Sequence, residues 1–524
     1  MTDVPAPATS PARRWRIEAF ARLDRIDRID RVAWIVIAIV VVALATRLIG
    51  LGARAVHHDE ALHFMYSWYF TEGRGHHHDP LMHGPLQFHL MAGFFKLFGD
   101  GEFIGRLPHA LAGTALVATP LLLRRYLNGP AVVLAALFFA ISPALLYYSR
   151  FARNEPLIAL FTVLGVVAVF RYRDTGRLRW LVLFSAMLAL HFAAKETAYL
   201  LAAMFLLYFN GATAHELFWA PRRARGESAS LGQQLRHGAW LLPSAWVIAV
   251  LWPFLGRLRS CFGWTERPRE ADLLVLTATL VLPLLAAAVE VPFVLGGGEL
   301  TLSEERRLAW IAIPSLLVVA GAVGIAWGRL DWAICFVVFM GILVPLYSTW
   351  GTYYEGVAGI FWTSLDYWID QQEVQRANQP WFFYVMLTPL YEGLVLLPAI
   401  VGGAWLALRR RDRLATFLLW WFVAIFAALT FAGEKMPWLV VHITLPLCLL
   451  AAYSLGRAAP RVREALQTGQ GHAAAWAGGG VASVVVASLL ALTVWTDVGL
   501  NIDHPSTPIE PFMYAQTTDE LRDL

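Results

Sequence analysis

The chain has 524 residues, of which 58% are hydrophobic and only 15% charged, whereas soluble globular domains carry about 25% charged residues. Apolar runs recur along its whole length without the alternation typical of a membrane β-barrel, and about 20 apolar residues suffice to cross a bilayer as a helix. The composition therefore predicts an all-α polytopic membrane protein and excludes an ordinary soluble fold. The net charge of +4 reflects arginines placed between the apolar runs, not a single basic face, so no nucleic-acid partner is expected.

The N-terminal segment, residues 1–33, is rich in arginine, and aspartates alternate with the arginines at spacings that favour a helix on the membrane surface. Arginine ahead of a first span favours the cytoplasmic side. No small-residue cleavage site follows the first apolar run, so no signal peptide is predicted. The loop after the first span is therefore expected on the outer face of the cell membrane.

Hydrophobic runs predict a membrane domain over residues 34–496 with about thirteen spans, followed by a short outer tail, residues 497–524. A long first outer loop, residues 51–102, is expected to hold an interfacial apolar helix at residues 85–98. The first six spans are predicted at residues 34–50, 104–123, 131–147, 157–170, 180–192 and 198–210.

The middle of the chain offers one candidate span too many. The arginine-rich residues 409–413 belong inside, so the segment 350–380, which precedes one more span, belongs outside. Residues 239–255 are short and interrupted by Pro243 and Pro253, so we expect this candidate not to cross. The remaining spans are predicted at residues 273–295, 309–327, 331–347, between 380 and 409, and at 414–431, 438–455 and 476–496.

Three cysteines, Cys261, Cys335 and Cys448, lie far apart in or near apolar runs. They form neither a zinc pattern nor a disulfide framework. We expect them to be buried, inert thiols.

Two polar clusters follow the first span. Residues 57–63 read His-His-Asp-Glu-Ala-Leu-His and contain Asp59 and Glu60, and residues 76–85 contain three consecutive histidines, Asp79 and His83. Adjacent carboxylates at a membrane surface are costly to keep without a role. A solvated loop, or a helix N-terminus where acidic side chains are favoured, would also explain them.

Further charges lie at the same predicted outer end. Glu155 follows the third span, Lys195 and Glu196 follow the fifth, and Lys435 precedes the twelfth. Ordinary loop charges would not be expected to place their acidic and histidine-rich members in short turns that border spans. A common site just above the outer leaflet would produce this pattern.

The order of these residues resembles the C superfamily of membrane glycosyltransferases, which includes protein O-mannosyltransferases and the aminoarabinose transferases of lipid A. The closer likeness is to the flippase-associated glycosylation proteins of archaea and some bacteria. It rests on an ordered set of motifs at residues 57–63, 79–85, 379–384, 391–392, 435–439 and 510–517. In that family an aromatic residue often precedes Asp-Pro, and His78 stands there in this chain. Relatives often carry more soluble sequence after the tail, so the likeness implies either a short tail or a truncated outer domain.

The resemblance implies transfer of a sugar from a polyprenyl-phosphate donor to a glycan, lipid or protein acceptor on the outer face, with inversion. It assigns Asp59 as the general base, a task that a raised pKa at the interface would suit. Glu60 and Glu155 would orient the base or the sugar hydroxyls, or bind a divalent ion. The cations expected to stabilise the leaving phosphate are Lys435, Arg153 and Lys195.

Other side chains at the outer end are expected to bind substrate. They are His58, His63, Asp79, His83, Glu196, Trp381, Tyr384, Glu392 and Trp438. No cofactor is implied with certainty, but a divalent metal ion would take Asp59, Asp79 and His83 as ligands. Simpler interpretations stay open: His63 lies at i+4 from Asp59 and can pair with it, and Lys435 can anchor its helix by snorkelling. The aromatic residues can form an interfacial belt.

Two other functions remain open on the sequence. A transporter or flippase component for lipid-linked glycans would use Asp59, Glu155 and Lys435 as a proton or phosphate relay. Against it, the acidic residues lie at outer ends rather than at the midplane, and no mirrored pair of Gly- or Pro-broken helices is visible. A scaffold of a glycan-assembly complex would not depend on the carboxylates.

Overall fold

Apolar sequence becomes helix throughout the computed structural model of this chain, as the composition predicts. The structure describes residues 30–226, 244–264, 266–296, 298, 300–371, 379–468, 473–503 and 510–514. Within these ranges there are helices and turns but no β-strand. The predicted N-terminal surface helix lies outside the described residues.

The N-terminal half builds the outer loop and the first six spans. Its helices are α1 Arg31–Leu48, α2 His58–Thr71, α3 Leu86–Phe98, α4 Glu102–Ala118, α5 Gly129–Ile141, α6 Pro143–Ser149, α7 Glu155–Thr175, α8 Leu178–Ala194 and α9 Thr197–Ala224. The helix predicted at residues 85–98 is present as α3. Ser142 accepts from the backbone N–H of Leu145 as the N-cap of α6, and Pro143 begins that helix. The restart bends α5 against α6 by 55°, since proline cannot continue the preceding helix.

The C-terminal half contributes the remaining spans and two short helices that precede them. Its helices are α10 Ala245–Leu251, α11 Gly256–Phe262, α12 Arg269–Val281, α13 Val291–Leu295, α14 Leu302–Tyr347, α15 Ser364–Asp370, α16 Phe383–Pro398, α17 Ala404–Leu408, α18 Arg413–Phe431, α19 Val440–Thr468 and α20 Ala473–Val498. α14 is broken at Gly328, whose φ of −171° and ψ of 83° leave the helical region. The predicted spans 309–327 and 331–347 therefore lie in one helix that is broken at Gly328.

The span count agrees with the prediction once broken and short helices are considered. Nine helices in the described ranges are long and apolar enough to cross a membrane, or ten with the bent pair α5–α6. Thirteen crossings result when the 46-residue α14 counts as two spans and the 17-residue α4 and α8 count as one each. The protein is a polytopic helical membrane protein.

The described part of residues 239–255 does not cross. It contains α10, which has seven residues, and α11 is equally short. The indole of Trp264, just before α12, donates to the carbonyl of Leu217 in α9 at 3.0 Å. The end of α9 and the start of α12 therefore lie on the same side, as predicted from the two prolines.

Charged groups separate to the two ends of the bundle. One end holds a cavity of about 980 Å³ lined by the arginine-rich loop before α18 and by Arg173, Arg267 and Glu270. The other end holds the loops that carry Asp59 and Lys195. The predicted arrangement, with arginine blocks at one end and the site at the other, is present in the structure.

Cysteine labelling tests which end faces outwards. In a Cys261→Ser background, His77→Cys, at an exposed position, is expected to react with a membrane-impermeant maleimide on intact cells, whereas Arg411→Cys is expected to react only after permeabilisation. Cys261 is exposed on α11, contrary to the expectation of a buried thiol, so it serves in the wild-type chain as a native reporter for the arginine-rich end. If Arg411→Cys reacts on intact cells, the arginine-rich end faces outwards and the orientation is opposite to the predicted one.

Candidate active site

The outer loop begins α2 with a reciprocal cap that fixes its first turn. Nδ1 of His57 accepts the backbone N–H of Asp59 at 3.0 Å, and a carboxylate oxygen of Glu60 accepts the backbone N–H of His57 at 3.1 Å. This capping box starts the helix at His58. Consecutive helical residues point about 100° apart, so Asp59 and Glu60 face different surroundings.

Glu60 faces inward, and both of its carboxylate oxygens accept hydrogen bonds. Its side chain is 0% exposed, and its two oxygens each accept from the guanidinium of Arg106 at 2.9 Å. The backbone N–H of Ala152 donates to it at 2.8 Å, and Arg54 lies 3.5 Å away. Burial alone would raise the pKa of Glu60, but Arg106 and Arg54 hold it below its ordinary value. Glu60 therefore ties α2 to α4 and to the turn before α7, and the predicted contact with substrate or a divalent ion does not fit this position.

Asp59 faces outward and is partly open. Its side chain is 32% exposed and forms an ion pair with Arg153, while Nδ1 of His58 lies 3.3 Å away. Burial favours a higher pKa, yet the positive charge of Arg153 lowers the pKa of Asp59 below its ordinary value. The expectation of a raised pKa is wrong for this arrangement.

Buried cations and a second carboxylate continue from Asp59. Arg153 is 3% exposed, and its Nε lies 3.5 Å from Glu155, the fully buried first residue of α7. Nζ of Lys195, at the end of α8, lies 2.6 Å from the other oxygen of Glu155. The Arg153 guanidinium lies 3.5 Å above the Trp438 ring, and Lys195 lies 5.9 Å from it. We call Asp59, Arg153, Glu155, Lys195 and Trp438 the charged cluster.

The His-rich loop approaches the charged cluster through a close backbone contact. The N–H of Gly84 donates to the carbonyl of Ala194 at 3.1 Å, and a Cβ at Gly84 would lie 2.1 Å from the carbonyl oxygen of the preceding alanine. Only glycine fits there. The contact places Nδ1 of His83 at 2.9 Å from Glu196, and the His83 ring stacks on Trp368 at 5.2 Å. Trp368 was not identified from the sequence, where it is one aromatic among many.

The two histidines near Asp59 differ in environment. His58 is exposed. His63 is buried, and its Nδ1 donates to the carbonyl of Ala152 at 2.9 Å instead of pairing with Asp59. Burial, with the nearby charge of Arg153, lowers the pKa of His63 to about 3. His63 is therefore neutral, and its hydrogen bond to Ala152 supports the turn that carries Arg153.

The predicted metal ligands do not come together. Asp79 is exposed and accepts the backbone N–H of Leu81 at 2.9 Å, which caps its own short turn Pro80–Met82. Asp59 is paired with Arg153, and His83 is paired with Glu196. Over the described ranges no group of three or more His, Cys, Asp or Glu side chains is arranged to hold a metal ion.

Four other predicted residues have separate surroundings. Nζ of Lys435 donates to the main-chain carbonyl three residues earlier at 2.7 Å, which closes the end of α18. The buried Tyr384 donates to the carbonyl of Met436 at 3.0 Å. Glu392 is 2% exposed inside the bundle and accepts from the N-cap serine of α6 at 2.7 Å, whereas Trp381 is 69% exposed. Lys435, Tyr384 and Glu392 are therefore engaged in contacts within the fold, and Trp381 faces outward.

Sequence and structure comparisons were made with known proteins. Residues 82–220 match the family model of dolichyl-phosphate-mannose-protein mannosyltransferases. The matched segment contains His83, Arg153, Glu155 and Lys195. No curated protein sequence matches the chain.

Solved structures show the fold. The apo oligosaccharyltransferase of Archaeoglobus fulgidus is 14% identical, with a TM-score of 0.51 over 93% of this chain and 57% of that chain. The same archaeal enzyme in complex with an inhibitory peptide and a dolichol-phosphate gives a TM-score of 0.52 at 14% identity, again over 93% and 57%. ArnT from Cupriavidus metallidurans is 17% identical over 81% of this chain and 78% of its own, but its TM-score of 0.31 is too low for an argument. The chain thus shares the fold of the Archaeoglobus fulgidus oligosaccharyltransferase and spans about 57% of the length of that protein.

Proposed function

We propose that the chain belongs to the C superfamily of membrane glycosyltransferases, a proposal supported by its fold and by the family match over residues 82–220. It transfers a sugar from a polyprenyl-phosphate donor to an acceptor at the outer face of the cell membrane, with inversion at the anomeric carbon. The observation that supports this proposal is the charged cluster. Two buried cations and two carboxylates meet against one indole at the end of the bundle opposite the arginine-rich cavity.

The chemistry accounts for both kinds of charge. A polyprenyl-phosphate sugar is a phosphodiester with one negative charge, and its leaving phosphate gains a second as the bond to the sugar breaks. The acceptor oxygen attacks the anomeric carbon from the opposite face, the electron pair of the broken bond goes to the phosphate oxygen, and the acceptor proton goes to Asp59. Arg153 and Lys195 stabilise the charge that develops on the phosphate. Glu155 holds these two cations at fixed positions.

Donor binding also prepares the base. In the charged cluster, Arg153 lowers the pKa of Asp59, and a weakly basic carboxylate is a poor proton acceptor. A donor phosphate that competes for Arg153 withdraws that charge from Asp59, so the pKa of Asp59 rises. The pair His83 and Glu196, beside Lys195, supplies hydrogen bonds to sugar hydroxyls, and Trp368 supplies an aromatic face.

The test is a transfer assay on the full chain in proteoliposomes, with a panel of radiolabelled polyprenyl-phosphate sugars and membrane extracts as acceptors. We expect label to move from the lipid to an acceptor with at least one donor, and Asp59→Asn to serve as the inactive control. A transporter would move the intact labelled lipid between leaflets and leave the sugar attached. Label that stays on the lipid with every donor would overturn the proposal.

The two lysines next to spans are expected to differ. Lys195 is paired with Glu155 of the charged cluster, whereas Lys435 donates to a main-chain carbonyl. A charge-assisted contact contributes about 1.5–3 kcal/mol, so Lys195→Ala is expected to lower kcat/KM for the donor about 10- to 100-fold. Lys435→Ala loses a contact with a main-chain carbonyl outside the charged cluster and is expected to change kcat/KM only a few-fold.

Lys195→Arg keeps the charge in a different geometry and is expected to restore part of the loss. The thermal midpoint of each variant separates a binding effect from unfolding. If kcat/KM for the donor falls more in Lys435→Ala than in Lys195→Ala, the donor phosphate binds at Lys435 and not at Lys195.

A further inference from the structure

A short C-terminal segment returns to the bundle after the last span. Residues 510–514 follow α20, and within them Phe512 is 2% exposed and Met513 is 8% exposed. The Phe512 ring stacks on Tyr391 of α16 with centroids 3.7 Å apart and planes 19° apart. Tyr147 and Tyr148 of α6 complete the slot at 6.0 and 5.4 Å.

Hydrogen bonds fix the backbone of this segment in the slot. The hydroxyl of Tyr148 donates to the carbonyl of Phe512 at 3.1 Å. The hydroxyl of Tyr391 donates to the carboxylate of Glu510. The Tyr514 ring meets Trp438 of the charged cluster edge-on at 6.1 Å. The segment therefore contacts α6, α16 and the turn that carries Trp438.

The same segment reaches α2 through His57. Nδ1 of His57 accepts the N–H of Asp59 at 3.0 Å, so the neutral ring carries its hydrogen on Nε2. That Nε2 donates to the carbonyl of Tyr514. His57 is buried, and its ring packs edge-on against Phe151 at 5.0 Å. One ring thus joins the C-terminal segment to the N–H of the residue assigned as the base.

We propose that residues 510–514 form a strap that positions Asp59 for transfer by fixing the tautomer and orientation of His57, the N-cap of α2. The effect on rate rests on the proposed function, whereas the coupling between the strap and α2 does not. Misplacement of a reacting group by about 1 Å can cost about 10²-fold in rate. His57 and Phe512 are positioning residues, because they act through Asp59 and not on the substrate.

The first experiment removes the anchor of the strap. In the full chain in nanodiscs, Phe512→Ala is expected to speed hydrogen exchange of the first-turn amides of α2 at least tenfold and to lower kcat about 10- to 100-fold. The donor KM is expected to stay within a few-fold, because the cations keep their partners. Phe417→Ala removes an equally buried ring from α18 and serves as the control, with lower thermal stability but unchanged exchange in α2.

Phe512→Leu keeps most of the apolar volume and tests the stacking separately, in case Phe512→Ala does not fold. We expect an intermediate effect on both exchange and kcat. If α2 exchange is unchanged in either folded variant at Phe512, the strap does not position α2 and the proposal is overturned.

The second experiment separates capping from the strap contact. Asn is a good N-cap, so His57→Asn keeps the cap of α2 but loses the donor to Tyr514. We expect His57→Asn to reproduce the faster exchange and the lower kcat of Phe512→Ala, and the double variant to be no worse than the poorer single variant. If hydrogen exchange of α2 in His57→Asn equals that of the wild type, the proposal is overturned. It is also overturned if the losses of kcat in the two single variants multiply in the double variant. If the wild-type chain transfers no sugar at all, the proposed function fails while the exchange data still decide the strap.

Discussion

Asp59→Asn is expected to lower the transfer rate about 10²- to 10⁴-fold, the range that a positioned general base contributes, while the chain still inserts and folds. The side chain is 32% exposed and does not cap α2, a task that belongs to His57. Asn keeps the volume but cannot accept the acceptor proton. The loss is therefore expected in catalysis and not in stability.

The two kinetic constants separate this role from donor binding. Removing the negative charge of Asp59 leaves Arg153 with Glu155 as its remaining carboxylate partner, so the donor phosphate competes with one carboxylate fewer. KM for the donor is expected to stay constant or fall while kcat drops, a pattern that marks loss of a transition-state interaction.

A pH profile of the wild-type enzyme tests the coupling between the donor and the base. Arg153 holds the pKa of Asp59 below its ordinary value in the free enzyme. The acid limb of kcat/KM, which reports the free enzyme, is therefore expected at a lower pH than the acid limb of kcat, which reports the donor complex. If a stable Asp59→Asn protein keeps the wild-type rate, Asp59 is not the general base, and Glu155 or Asp79 has that role.

Topology explains why much of the site could be predicted from the sequence. Arginine bias and apolar runs assign each loop to an end of the bundle, and residues at the ends of adjacent spans then have to meet. Asp59, Lys195 and Trp438 lie in three different connections between spans, Arg153 and Glu155 share a fourth, and the structure brings all five together.

The orientation of side chains within that end could not be predicted in the same way. Neighbours on a helix face different directions, and the inward direction of Glu60 is decided by Arg106, which is 46 residues away in the chain. The signal for Arg106 was present, since an arginine inside an apolar span needs a partner. The contact of His57 with Tyr514 joins residues 457 apart, and no local pattern announces it.

Glu60→Gln is expected to produce the opposite signature to Asp59→Asn, although the two residues are adjacent. The substitution breaks the two-pronged pair with Arg106 and leaves a guanidinium that is 0% exposed with only the more distant carboxylate of Glu102, at 3.9 Å, as its counter-ion. Breaking a buried ion pair costs about 3–5 kcal/mol. We expect a lower thermal midpoint in detergent and poor recovery of the protein, with the rate per folded molecule less affected than in Asp59→Asn.

The pH dependence of stability follows from the same pair. The pKa of Glu60 in the folded chain is below its ordinary value of 4.5, so its contribution is fully present above that pH and is lost as the pH falls towards the folded value. The double variant Glu60→Met with Arg106→Leu removes both charges, and replacing a buried pair by apolar groups of similar size is often neutral. We expect it to regain part of the stability lost in Glu60→Gln and not all of it, because the N–H groups of His57 and Ala152 and the carbonyls of Leu51 and Arg54 lose their side-chain partners. A Glu60→Gln protein with the wild-type thermal midpoint but a greatly reduced rate would instead show that Glu60 acts on the substrate. The pair of Glu60 with Arg106 would then be needed for catalysis and not for stability.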